Sequence, residues 1–173
     1  MDNSFNREYY QAKNHQYLLI HKSGSSSVRE AFDFEYEATP LPVPGKIVWT
    51  VIRDPVERFY SGLQYDSMRV GVLGSPNWER IFTEVSLEQR GGGKIPHTIP
   101  QSLYVLNQPV NVFVHLKDLD AFLRIHGASS IHKNVSAGTP PRLHEETVKA
   151  LHAFDNYYFS KIKFWRWEYG AIF

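Results

Sequence analysis

At 173 residues the chain has room for one globular core and is short for two. Apolar residues make up 42% and charged residues 21%, which excludes the disordered class, and a formal net charge of +1 gives no global attraction for nucleic acid or anionic lipid. With no cysteine, disulfides, thiolate zinc sites and a cysteine nucleophile are excluded.

The opening "MDNSFNREYYQAKNHQ" is polar and carries no signal-peptide core, and no run approaches the roughly 20 apolar residues of a membrane span. The expectation is one soluble, cytoplasmic or otherwise intracellular domain over residues 1–173, with no nucleic-acid partner and no membrane span. Nothing in the composition sets the oligomeric state.

In chain order, "YLLI" at 17–20 is a short apolar run that suits a buried strand, and "VREAFDF" after the serine cluster suits a helix. The prolines of "ATPLPVPG" then predict an extended connection. "KIVWTVI" at 46–52, β-branched and aromatic, predicts a second strand; "DPVERFYSGLQY" follows as a helix, with Asp54 as its N-cap and Pro55 at its first position. The strand, loop, helix order is thus repeated. "SPNWERIFTEVSLEQ" at 75–89 has the spacing of an amphipathic helix, and "RGGGKIPHTIP" at 90–100, with three glycines and two prolines, reads as a flexible segment, either functional or disordered. A short helix in "QSLYVL", a third strand in "VNVFVHL" at 110–116 and a helix in "KDLDAFLRIHG", stopped by Gly127, come next. After the polar loop "SSIHKNVSAGTPP", residues 142–165 predict one long helix or two shorter ones. The aromatic tail from 156 to 173 reads as a segment closing the core rather than as a stacking or membrane surface. Strands alternating with helices predict an α/β fold with a mainly parallel sheet, whose ligands sit beyond the carboxyl ends of the strands.

Two polar loops fall at such ends. In "HKSGSSSV" Gly24 permits positive φ and close approach of a ligand, Ser25, Ser26 and Ser27 supply hydroxyl and backbone donors, and Lys22 adds a mobile charge suited to one that develops during reaction. The lysine precedes the glycine, so this is not the triphosphate loop G-x-x-x-x-G-K-[ST]. On this loop alone, a serine-rich N-cap beside a solvated lysine is an equal reading. In "RDPVERFYSGLQY" Arg53 ends the second strand and Ser61 stands eight residues on, with Arg58 between them. A guanidinium with a hydroxyl suits a phosphate dianion. On this loop alone the plainer reading is favoured, in which Arg53 pairs with Asp54 or caps a carbonyl and Ser61 is a small packing residue.

Taken together, the two loops resemble the sulfotransferases. "HKSGSSSVREAF" is similar to their 5′-phosphosulfate loop, Pro-Lys-x-Gly followed by three Ser or Thr, and "RDPVERFYSGLQY" to their 3′-phosphate motif, with the same Arg-to-Ser interval. "HTIPQSLYVLNQPVNVFVHLKDLDAFL" and "HKNVS" resemble segments of the carbohydrate-modifying branch, and the likeness covers roughly residues 17–160. His21 departs from the pattern, standing where the family has proline. The missing cysteines and anchor and the short chain point to a bacterial or viral member rather than a Golgi one.

The resemblance implies a three-layer, P-loop-NTPase-like sulfotransferase fold, with a mainly parallel central sheet flanked by helices. It implies transfer of a sulfuryl group from 3′-phosphoadenosine 5′-phosphosulfate (PAPS), a co-substrate, to a hydroxyl or amine acceptor, most readily of a carbohydrate, without a metal. Lys22 would stabilise the leaving phosphate, with Ser23, Gly24, Ser25, Ser26 and Ser27 around the 5′ end. Arg53 and Ser61 would bind the 3′-phosphate, and Asn134 would lie near the nucleotide. A general base is needed for the acceptor proton. His97, in the Gly/Pro segment, is the first choice; His21 and the carboxylates Glu35 and Glu37 stay open. His115 reads as a core histidine and His144 and His152 as residues of an outer helix. A kinase-like ATP phosphotransferase and a non-catalytic nucleotide- or glycan-binding module are the competing readings.

Overall fold

The computed structural model describes residues 7–32, 34, 38–70, 97, 100–129 and 145–173. Its strands are β1 (Tyr9–Gln11), β2 (His15–Leu18), β3 (Ile47–Ile52) and β4 (Val112–His115). The helices are α1 (Ser25–Ala31), α2 (Pro55–Val70), α3 (Gln101–Val105), α4 (Leu119–Ile125) and α5 (Glu145–Phe159), with single 3-10 turns at Leu116–Asp118 and Trp167–Tyr169.

The sheet runs β1-β2-β3-β4. β2 pairs parallel with β3, and β3 with β4, while β1 runs antiparallel at the edge. Among the described residues the fold is therefore α/β with a mixed four-stranded sheet. β1 was not anticipated, because three residues in a polar opening give no periodicity to read; it is held by its pairing to β2 and by a bridge in which Tyr9 and Thr39 exchange both backbone bonds at 2.9 Å.

Alternation along the central strands builds both faces of the core. Tyr17 and Leu19, Trp49 and Val51, and Val114 point to one face, where Val28 of α1 and Leu119, Phe122 and Leu123 of α4 cover them. Leu18 and Ile20, then Val48 and Ile52, point to the other, under Tyr104 and Val105 of α3 and Phe159 of α5. Strands covered on both sides must be apolar on both sides, which is why "LLI" and "IVWTVI" lack the polar alternation of a half-exposed strand.

Residues 142–165 contain one helix among those described, α5, after which the chain turns back so that Trp165 N–H donates to Phe113 O at 2.8 Å. The tail does close the core: Trp165 is buried in the first face, and the Phe173 ring stacks on His15 with centroids 3.8 Å apart. His126 Nε2 accepts from Ile172 N–H at 2.9 Å and fixes that end. Tyr157, Trp167 and Tyr169 of the same segment stay exposed. No helix among the described residues is long and apolar enough to cross a membrane. The helix expected at 75–89 and the loop 129–141 lie outside the described residues, apart from Ser129.

Candidate functional site

Because β2 and β3 are adjacent and parallel, their carboxyl ends bring the Lys22 loop and Arg53 side by side. Arg53 Nη1 donates to the Lys22 carbonyl at 3.4 Å, and Nε faces Glu57 Oε2 at 3.3 Å. The arginine therefore caps a carbonyl, as one reading of its motif allowed, and pairs with Glu57 rather than Asp54. Asp54 Oδ1 instead accepts from Val56 N–H at 3.0 Å and Glu57 N–H at 2.9 Å, the N-cap expected for α2. Ser61 stands about two turns into that helix and is half-buried.

The first loop turns twice through the left-handed region. Gly24 has φ 80°, and a Cβ there would meet Leu116 Cδ1 at 2.8 Å and Leu119 Cδ2 at 3.0 Å, so the glycine answers a close approach of the protein itself. Lys22 has φ 64°, a conformation that costs a residue with a Cβ roughly 1–2 kcal/mol. α1 begins three residues earlier than its apolar pattern predicts. Ser25, Ser26 and Ser27 consequently form its first turn, whose N–H groups a helix cannot serve from its own carbonyls. Val28 N–H makes the first intrahelical bond, to Gly24 O at 3.1 Å.

Ser23 differs from its neighbours. It is fully buried, its N–H bonds Ile20 O at 3.3 Å, and its hydroxyl donates to Gln101 Oε1 at 3.0 Å. Its polar groups are engaged inside the protein, which makes it a support of the loop rather than a group facing a ligand.

Beneath the loop, Arg58 is 2% exposed and donates from Nε to His21 O at 2.8 Å, with its guanidinium 5.5 Å from the Tyr104 ring centroid. Burial pushes its pKa below the ordinary arginine range, countered by Tyr104 and Asp155. Beside the same loop, the His21 and His97 rings meet edge to face with centroids 4.9 Å apart. Tyr65 of α2 continues the cluster, 4.7 Å from His97, and the Lys22 ammonium lies 3.4 Å from the Tyr65 ring centroid. The two histidines named as candidate bases thus occupy one spot beside Lys22. Burial, then the charges of His97, Arg58, Lys22 and Arg29, push the His21 pKa down to about 4. At neutral pH His21 is an uncharged ring and a weak base.

His115, the last residue of β4, is half-buried and accepts from Lys117 N–H at 3.3 Å, as a structural histidine does. His152 is half-buried on α5, with Nδ1 3.4 Å from Asn156 Nδ2. Asn134, Glu35, Glu37 and His144 lie outside the described residues.

Sequence reasoning missed Gln101 and Asp155. Gln101 is fully buried at the start of α3; Oε1 accepts from Ser23 Oγ and, at 2.8 Å, from Arg53 N–H, while Nε2 donates to Arg53 O at 2.7 Å. Asp155 of α5 accepts from the N–H groups of Gln101 and Ser102, both at 3.1 Å, and from Ser102 Oγ at 2.6 Å. A signal for Asp155 existed: it lies four residues before Phe159, hence on an apolar helix face, where an acid needs a partner. Gln101 had none, since its partners are 48 or more residues away in the chain.

Comparison with models of known families, with curated proteins and with solved structures finds no match.

Proposed function

We propose that the chain is a sulfotransferase that moves a sulfuryl group from PAPS to a hydroxyl acceptor, most readily one on a carbohydrate. The observation that carries the reading is the contact between Arg53 and the Lys22 loop across two adjacent parallel strands, which gives two anion-binding motifs, far apart in the chain, one common mouth. A donor with both a 5′-phosphosulfate and a 3′-phosphate has use for both; ATP, which lacks a 3′-phosphate, has use for one.

In this reading the acceptor oxygen attacks sulfur as the bond from sulfur to the bridging phosphate oxygen breaks, and adenosine 3′,5′-bisphosphate leaves with the bonding electrons. Lys22 neutralises the charge that grows on the bridging oxygen. The first-turn groups of Ser25, Ser26 and Ser27 hold the 5′ end. Arg53 and Ser61 take the 3′-phosphate, with Asn134 beside the nucleotide. Exposed Glu57 is no obstacle, because a surface ion pair is worth about 0–1 kcal/mol and exchanges readily for a dianion. His97 receives the acceptor proton; His21, held neutral with a pKa of about 4, suits the role less well. The chemistry asked of these residues calls for no metal ion.

The test is transfer of label from ³⁵S-PAPS to a panel of mono- and oligosaccharides and simple alcohols, with Lys22→Ala as the control. Label on an acceptor with the native chain and none with the variant is the expected result. Hydrolysis of ATP or transfer of its γ-phosphate to the same acceptors, with no transfer from PAPS, would replace the reading by a kinase.

A further inference from the structure

The two motifs touch each other weakly, yet both are bonded to a third group that belongs to neither. Gln101 uses one side-chain oxygen to accept from Ser23 Oγ at 3.0 Å and Arg53 N–H at 2.8 Å, and its amide nitrogen donates to Arg53 O at 2.7 Å. A primary amide offers two donors and one two-lone-pair acceptor. Here the acceptor is filled by the two loops, and the second donor points to Asp155 Oδ2 at 3.4 Å. Every hydrogen-bonding direction of a buried side chain is therefore assigned.

The helix that carries Gln101 is held at both ends. Asp155 receives the N–H groups that open α3, and Arg7 donates to its last carbonyls, Nη2 to Leu103 O at 3.0 Å and Nε to Tyr104 O at 2.9 Å. An anion at the N-terminus and a cation at the C-terminus both match the helix polarity. A five-residue helix has little stability of its own, so this clamping fixes where Gln101 sits.

We propose that Gln101 is a positioning residue that sets the separation between the Lys22 loop and Arg53, and thereby the spacing of the two phosphate sites. The inference rests on the nucleotide reading above and adds to it the device that joins its halves. Two sites at the right spacing bind a doubly phosphorylated ligand as a chelate, whereas a ligand with one phosphate is indifferent to that spacing.

The test is calorimetric titration of the native chain and of Gln101→Met, similar in length but without the amide, with adenosine 3′,5′-bisphosphate, adenosine 5′-monophosphate and adenosine 3′-monophosphate. Loss of the clasp is expected to weaken the bisphosphate about tenfold or more while each monophosphate changes by less than about threefold. Should Gln101→Met not fold, Ser23→Ala removes a single bond of the clasp and is expected to give the same selective loss at smaller size. Equal losses for all three ligands, or none, would overturn the role of Gln101 while leaving the nucleotide reading standing. A native chain that ignores the bisphosphate would overturn that reading, and the inference with it.

Discussion

Arg58 Nε donates to the carbonyl of His21 at 2.8 Å, from a position almost closed to solvent. The bond ties α2, which follows the second motif, to the loop of the first, and it makes a buried cation the floor of the site. Substituting Arg58 by leucine removes the donor from a part-buried carbonyl and the stem that packs beside Tyr104; a loss of about 2–4 kcal/mol is expected in denaturant unfolding. Lysine cannot reproduce the planar donor geometry, and Arg58→Lys should recover less than half of that loss. Full recovery would mean that charge alone is needed there.

Lys22 carries both the charge of the first loop and a left-handed backbone, φ 64°. Glycine is at home in that region and alanine is not, so Lys22→Gly should be more stable than Lys22→Ala by about 1 kcal/mol. Both variants should lose sulfuryl transfer by at least about 10²-fold, as is usual when a group that stabilises developing charge is removed. Thermal unfolding and turnover measured on the same pair separate backbone strain from charge; equal stability would show that the loop relaxes.

Acid should destabilise the fold early. Burial, then the charges of His126 and Lys46, hold the His15 pKa at about 4, and that of His21 is about 4 as well, against an ordinary value near 6.5. A histidine whose folded pKa is depressed binds its proton more readily in the unfolded chain. Its contribution is complete above about pH 6.5 and is lost as pH falls from there through about 4. Each histidine adds a slope of up to about 1.4 kcal/mol per pH unit in that window. Urea unfolding at pH 7, 6, 5 and 4 reads the slope, and His15→Gln should flatten it. A native chain equally stable at pH 7 and 5 would contradict the burial of these rings.

His97→Ala should lower turnover by about 10²–10⁴-fold with little change in affinity for adenosine 3′,5′-bisphosphate. Turnover close to native would remove His97 from the role of base. Affinity falling in step with turnover would make it a wall of the nucleotide pocket.

The parts of this site that were legible in the chain are those with local causes. Gly24 and the serines mark a turn into a helix, Asp54-Pro55 marks a helix start, and "IVWTVI" marks a buried strand; each appears where its pattern puts it, with α1 starting early because serine is at home in a first turn. That β2 and β3 are neighbours, the fact that unites the two loops, was implied only by their order. What no local pattern carries is Gln101, whose meaning comes from Ser23, Arg53 and Asp155 arriving from three other elements. His21, unexplained by the resemblance, gains a setting: its ring packs against His97, a contact a proline in its place would not make in the same way, while its carbonyl serves Arg58.

The proposed sulfotransferase must take a 5′ and a 3′ phosphate together, between the Lys22 loop and Arg53. Calorimetric titration of the native chain with adenosine 3′,5′-bisphosphate and, separately, with ATP tests this most directly. Binding of the bisphosphate at least about tenfold tighter than ATP, lost on Arg53→Ala, is the result predicted. Tight binding of ATP with none of the bisphosphate would contradict it.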